Sequence, residues 1–215
     1  MSVLRGLRRR LTRGSRGEPI VVVSGLPRSG TSMMMNMLAA GGLAVSSDRV
    51  RQADEDNPRG YFEDERVKDL ERAPDKAWVA ECRGKVVKVI SFLLKDLPGS
   101  ESYRVIFMQR DLGEVIASQN KMLRRRNEPV DESDGERMTR AYRAHLVKVK
   151  LLLAERRNFE VLEVDYREAV ADPRASARRV ARFLGRDLDV ERMAAAVEPS
   201  LYRNRKRGEA RADAP

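Results

Sequence analysis

The sequence predicts an α/β fold of three layers, a central parallel sheet covered by helices on both faces. Two observations carry this. Four short apolar runs alternate with longer helix-forming runs, an order that builds a parallel sheet through helical crossovers. The first of these runs is short and β-branched, the signature of a fully buried strand. A length of 215 residues suits one domain with a real core.

Taken in order, Ile20 to Ser24 reads as the first buried strand. Thr31 to Ala40 follows as a helix, stopped by Gly41-Gly42. A polar stretch from Ser46 to Asp64 carries a turn signal at Asn57-Pro58 and Gly60. Lys85 to Ile90 (KVVKVI) and Tyr103 to Met108 (YRVIFM) are the second and third strands. Leu112 to Arg126 is a helix with Asp111 placed to cap it. Asn127 to Gly135 is a flexible acidic connection, and Glu136 to Arg157 a long amphipathic helix. Phe159 to Val164 (FEVLEV) is the fourth strand. Asp172-Pro173 opens a last helix that ends near Gly185. No internal repeat is present. Ligands of such sheets bind at the carboxyl ends of the strands. The loops after Ser24, Ile90, Met108 and Val164 are therefore the ones to search.

The formal net charge of +10 calls for an anionic partner or a solvated excess. Arg5, Arg8, Arg9, Arg10, Arg13 and Arg16 all precede the first acid, Glu18, and the ending RNRKRGEARADAP is basic too. The expected organisation is a basic tail over residues 1–17, a folded domain over 18–205 and a polar tail over 206–215. Val3, Leu4, Leu7 and Leu11 fall at helical spacing among the arginines, so weak contact with a membrane surface is an alternative to a disordered tail. Cys82 is alone, which rules out a disulfide within the chain. No apolar run approaches a membrane span and the N-terminus lacks the core of a signal peptide. The expectation is a reduced, cytoplasmic protein.

The chemistry concentrates after the first strand, in GLPRSGTS, Gly25 to Ser32. A strand, a glycine-rich turn and a helix start form an anion site from backbone N–H groups and the helix dipole. Gly25 and Gly30 permit the tight path. Arg28 adds a cation, and Ser29, Thr31 and Ser32 add hydroxyls beside Pro27. The pattern departs from the nucleotide-triphosphate loop GxxxxGK[ST], because Thr31 stands where the lysine would be. No metal is expected, although Asp165 ends FEVLEV in a position that keeps a magnesium-and-ATP reading alive. Such a cradle suits a donor with a 5′-phosphate whose transferred group carries little charge, as in sulfuryl transfer.

These residues resemble the 5′-phosphosulfate loop of sulfotransferases that use 3′-phosphoadenosine 5′-phosphosulfate (PAPS). YRVIFMQRDLGEVIASQNKM resembles that family's 3′-phosphate motif, a strand followed by arginine and then serine, here Arg110 and Ser118. The stretch VLEVDYREAVADPRASARRVARFLG resembles its later strand, loop and helix, which implies that Tyr166 lies by the adenine. NPRGYFE and PSLYRNR are similar to segments of bacterial members. The resemblance spans roughly residues 19 to 205 and implies a P-loop NTPase-like fold, with PAPS as co-substrate and a carbohydrate, lipid or small-metabolite hydroxyl, or an amine, as acceptor. Three departures stand out. Arg28 replaces the commoner lysine, no histidine follows Lys88, and the glycine-rich C-terminal segment of cytosolic members is not evident. Arg203, Arg205 or Lys206 are the candidates to replace its contacts.

For the general base, Glu63 is preferred, with Glu55, Asp56 and Asp64 as rivals; a carboxylate there can accept the acceptor's proton. Lys88 inside VVKVI is unusual, since buried lysines need partners, and it faces either the donor sulfate or a structural partner. His145, the lone histidine, shares an apolar stripe with Met138, Tyr142, Val149 and Leu152 and reads as structural, with a base role as the alternative. Met33, Met34, Met35 and Met37 read as core filling rather than an acceptor pocket, and Trp78 as packing. Arg124, Arg125 and Arg126 suit a helix C-terminus. The rival functions are an ATP-dependent phosphotransferase and a basic nucleic-acid-binding module. The low aromatic content of 5% gives little base stacking and argues against specific nucleic-acid recognition.

Overall fold

A computed structural model describes residues 17–48, 62–130 and 135–198. Within them lies one parallel sheet of four strands in the order β2-β1-β3-β4, where β1 is Ile20–Gly25, β2 Val86–Lys88, β3 Tyr103–Gln109 and β4 Phe159–Asp165. The register is continuous, with Val23 opposite Lys88 on one side and Ile106 on the other, and Gln109 opposite Asp165. Strand parity divides the core. Val21 and Val23 of β1 and Ile106 and Met108 of β3 face one layer. Ile20 and Val22, with Val105 and Phe107, face the other.

The first layer holds α1 (Thr31–Ala40), then α4 (Tyr166–Ala171), α5 (Pro173–Leu184) and α6 (Val190–Ala195). Met34, Met35 and Met37 are fully buried and Met33 packs beside them, so the methionines fill the core as expected. The second layer holds α3 (Gly135–Glu155), through Val149 and Leu153, and short 3-10 helices at Glu65–Val67, Ala77–Cys82 and Ser91–Asp96. Trp78 packs at its edge under the Arg66 guanidinium, 4.5 Å from the ring centre. A helix α2 (Leu112–Arg125) joins β3 to α3.

Local chemistry explains the boundaries. Asp111 accepts from the Glu114 N–H and caps α2, while Arg124 and Arg125 occupy its last turn. Asp172 accepts from Ala175 N–H with Pro173 in the first turn of α5, and Gly185 closes that helix in the left-handed region. The structure corrects two expectations. The second strand is shorter than Lys85 to Ile90, because β2 is an edge strand and the chain turns into the 3-10 helix at Ser91. The segment after the fourth strand is not a loop: Asp165 accepts from the N–H groups of Arg167 and Glu168 and starts α4 at once. The basic N-terminal segment, Glu55, Asp56 and Arg203 to Lys206 lie outside the described residues.

Candidate functional site

The loop after β1 is set by three unusual backbone positions. Gly25 has φ 149°, Arg28 φ 68° and Gly30 φ 100°. A Cβ on Gly30 would lie 2.4 Å from the Tyr166 ring, and one on Gly25 would meet Ser29 Oγ at 2.4 Å and the Met108 carbonyl at 2.7 Å. Both glycines are thus demanded by conformation and by space. Arg28 is the exception, a bulky residue held left-handed at a cost of roughly 1 kcal/mol. Gly30 caps α1 without any side-chain hydrogen bond, and no acidic residue occupies the helix's first turn. The N-terminus of α1 therefore keeps its positive potential.

Ser29 lies deeper than its neighbours in the loop. It is 1% exposed, its N–H donates to the Leu26 carbonyl at 3.1 Å, and its hydroxyl is turned inward without a hydrogen bond among the described residues. Ser29 also lines a small cavity with Leu26, Gln109, Arg110 and Lys150. Thr31 is also buried, at the first position of α1. Pro27, Arg28, Gly30 and Ser32 are half-buried and border the open side.

Two groups of side chains flank this loop. On the β2 side, Lys88 shares the sheet face of Val86 by strand parity and reaches the first turn of α1. Its Nζ donates to Ser32 Oγ at 3.2 Å and lies 3.3 Å from Glu63 Oε1. The lysine side chain is 9% exposed, which answers why a charge is tolerated within VVKVI: it is paired where the strand ends. Lys88 thus brings a cation from the neighbouring strand to the start of α1. Asp64, a rival of Glu63, is already committed. It caps the Glu65–Val67 turn and pairs with Arg66, whose guanidinium holds its carboxyl below the ordinary value.

On the β3 side, Arg110 emerges just past the strand. Its Nε pairs with Glu114 Oε2 at 3.0 Å, its Nη1 donates to the Arg28 carbonyl at 3.2 Å, and its guanidinium sits 4.3 Å from the centre of the Tyr166 ring. Arg28 Nε donates to Ser118 Oγ at 3.0 Å. Arg28, Arg110, Ser118 and Tyr166 thus form one cluster, bringing together residues that the resemblance groups around the donor. Tyr166 is only 6% exposed and packs between Gly30 and Arg110, so it supports both. Glu114 was missed by the sequence reading, although an acid four residues after Arg110 on a helix start was a readable signal.

His145 stands apart. It belongs to α3, stacks on Phe92 with ring centres 3.8 Å apart, and exchanges a 2.9 Å hydrogen bond with Ser91. Burial, then the nearby Lys148, lowers its pKa, which keeps it neutral. The stacking and the hydrogen bond give His145 two packing partners, in keeping with the structural reading. Asp165, the acid of the magnesium reading, spends its carboxylate capping α4. Among the described residues no group of three His, Cys, Asp or Glu side chains is placed to hold a metal ion.

Comparison with known proteins agrees with this architecture. A family model described as "Sulfotransferase family" matches residues 76–190, just over half of the chain. Among solved structures, the sulfotransferase domain of the Synechococcus PCC 7002 olefin synthase superposes with a TM-score of 0.50 at 17% identity, covering 87% of this chain and 80% of that one. The sulfotransferase domain from the curacin biosynthetic pathway gives 0.51 at 15% identity, covering 87% and 90%. At such identities the likeness establishes the fold alone. No curated protein matches the chain.

Proposed function

We propose that this chain, which belongs to the sulfotransferase family, moves a sulfuryl group from PAPS to an acceptor hydroxyl by in-line displacement. The observation that carries the reading is the row set by the sheet order: Lys88 at the end of β2, the uncapped loop after β1, and Arg110 at the end of β3. Adjacent strands lie about 4.8 Å apart, so this row spans roughly 10 Å. A nucleotide charged at its 3′ and 5′ ends matches such a row of cations and backbone donors. The 3′-phosphate sits at Arg110 and Ser118, the 5′-phosphate on the loop with Arg28 and the Ser32 hydroxyl, and the sulfuryl end toward Lys88.

In the reaction the acceptor oxygen bonds to sulfur as the bond from sulfur to the 5′-phosphate oxygen breaks. Negative charge then grows on the leaving phosphate, where the α1 N-terminus, Arg28 and Lys88 are already oriented. Glu63 beside Lys88 takes the acceptor proton. A carbohydrate, lipid or small-metabolite hydroxyl all fit this chemistry. The test is turnover of PAPS with a panel of hydroxyl acceptors, followed by release of 3′-phosphoadenosine 5′-phosphate (PAP). Arg28→Ala is expected to abolish transfer; near-normal turnover in that variant would overturn the mechanism.

A further inference from the structure

We infer that Ser46 and Asp64 are positioning residues for the proton acceptor Glu63, a tie that sets this carboxylate in register with Lys88; this rests on the roles of Glu63 and Lys88 proposed above. Glu63 Oε1 lies 3.3 Å from Lys88 Nζ, although the two come from different segments of the chain. Lys88 is held by β2. Glu63 belongs to no helix or strand. It follows Phe62, which is left-handed at φ 48° and packs against the first core layer. A bulky residue persists in that conformation only where the surrounding structure holds it. The Glu63 and Lys88 side chains make further contacts; what the tie fixes is the main chain that carries the carboxylate.

The tie starts at the sheet edge. Beyond α1 and Gly41-Gly42 the chain runs beside β2, where Val45 bridges Val86. The Val86 N–H donates to the Ala44 carbonyl at 2.8 Å, and the Ser46 N–H to the Val86 carbonyl at 2.8 Å. Val86 lies two residues before Lys88 on the same sheet face, about 6.6 Å along the strand. The backbone of Ser46 is therefore fixed relative to Lys88. Its hydroxyl donates to Asp64 Oδ2 at 3.3 Å, and Asp64 is the residue after Glu63. The path from Lys88 through Val86, Ser46 and Asp64 to Glu63 closes on itself at the pair of Lys88 with Glu63.

Both members of the tie are buried, Ser46 at 9% and Asp64 at 4% exposed, and a carboxylate so placed needs fixed donors. Arg66 supplies them through Nε at 3.0 Å and Nη2 at 2.9 Å. The guanidinium is anchored in turn over Trp78 and against Glu81. Cys82 Sγ donates to Ser46 Oγ at 3.4 Å, which leaves the serine proton for Asp64. Two more bonds brace the same neck of chain. Ser47 Oγ donates to the Glu63 carbonyl at 3.0 Å, and Asp48 Oδ2 accepts from the Glu65 N–H at 2.6 Å. Asp64 thus acts through its neighbour. A reacting group displaced by about 1 Å can lose about 100-fold in rate, so a single bond in this frame matters to the chemistry.

The experiment is a double-mutant cycle of Ser46→Ala and Glu63→Gln in the full chain. The rate read is release of PAP from PAPS with water as the acceptor hydroxyl, beside calorimetric titration with PAP. Ser46→Ala removes the tie and leaves Asp64 with Arg66. It should lower kcat roughly tenfold or more, and Glu63→Gln about 100-fold, with the PAP dissociation constant within about twofold in both. In the Glu63→Gln chain Ser46→Ala should change kcat by less than about twofold, because the serine acts through the carboxylate. Three results would overturn the inference and leave Glu63 as the base: wild-type kcat in Ser46→Ala, the same loss in both backgrounds, or a loss of kcat that comes with a loss of PAP binding. Wild-type kcat in Glu63→Gln is a different failure, visible before Ser46 is touched. It would remove the base assignment itself, and the inference with it.

Discussion

Removing Arg110 separates what this residue does for the fold from what it does for the donor. The Arg110 and Glu114 side chains are 7% and 2% exposed and 3.0 Å apart. Deleting one partner of such a pair costs about 3–5 kcal/mol, because the other charge is stranded. Arg167, 3.7 Å from the same carboxylate, takes up part of the burden, so Arg110→Ala belongs near the lower end, about 3 kcal/mol. Loss of the contact on Tyr166 adds about 1 kcal/mol. For a chain of 215 residues that lowers the melting temperature by roughly 8–16 °C. Changing Glu114 to glutamine in the same chain removes the stranded charge and should restore about half of the loss. PAP affinity should not return, since the phosphate's guanidinium is still missing; the deficit remains about 1.5–3 kcal/mol. Thermal melting and calorimetric titration of the same samples read the two effects. A double variant that recovers both stability and PAP binding would show that Arg110 serves the fold alone, and the assignment of the 3′-phosphate would be refuted.

Other outcomes follow from the same geometry. Lys88→Met keeps the length of the side chain and should leave PAP binding nearly intact while lowering kcat about 100-fold or more, as expected when a donor to developing charge is lost; an unchanged kcat would remove Lys88 from the chemistry. Gly30→Ala places a Cβ 2.4 Å from the Tyr166 ring at φ 100°, and should weaken both stability and donor binding; a variant with wild-type melting and wild-type PAP affinity would contradict the loop geometry. The Asp64 carboxyl titrates below its ordinary value of 3.8, chiefly through its bond to Arg66. Its contribution is therefore complete above that value and is lost as pH falls through the lower, folded one. Asp64→Asn should be the less stable protein at neutral pH, with a shallower decline in melting temperature below about pH 4; parallel profiles would exclude this linkage.

Much of the scaffold was legible because local and long-range signals agree in it. The β-branched runs form the sheet, Gly41 follows the end of α1, and Asp111 and Asp172 cap the helices they precede. The loop was legible from its place between a strand and a helix start, and Arg110 with Ser118 from the family resemblance. What escaped depends on distant partners. The burial of the Ser29 hydroxyl against Gly25 follows from the fold of the loop and has no local sequence signal. The resemblance places Tyr166 by the adenine, and its burial against Gly30 and Arg110 is visible only once β4 lies beside β3. The association of Lys88 with Ser32 and Glu63 links residues 56 and 25 positions apart, and no periodicity encodes it. The helix α4 was missed because six residues are too few for a periodic signal, although the aspartate that caps it was in plain view.

The central claim is that the row from Lys88 through the loop to Arg110 is built for a nucleotide with a 3′-phosphate and no metal-bound triphosphate. Calorimetric titration of the wild-type chain with PAP, beside ATP with magnesium, tests it most directly. The account predicts tight binding of PAP and little or none of ATP; preference for magnesium-ATP, or no binding of PAP, would contradict it.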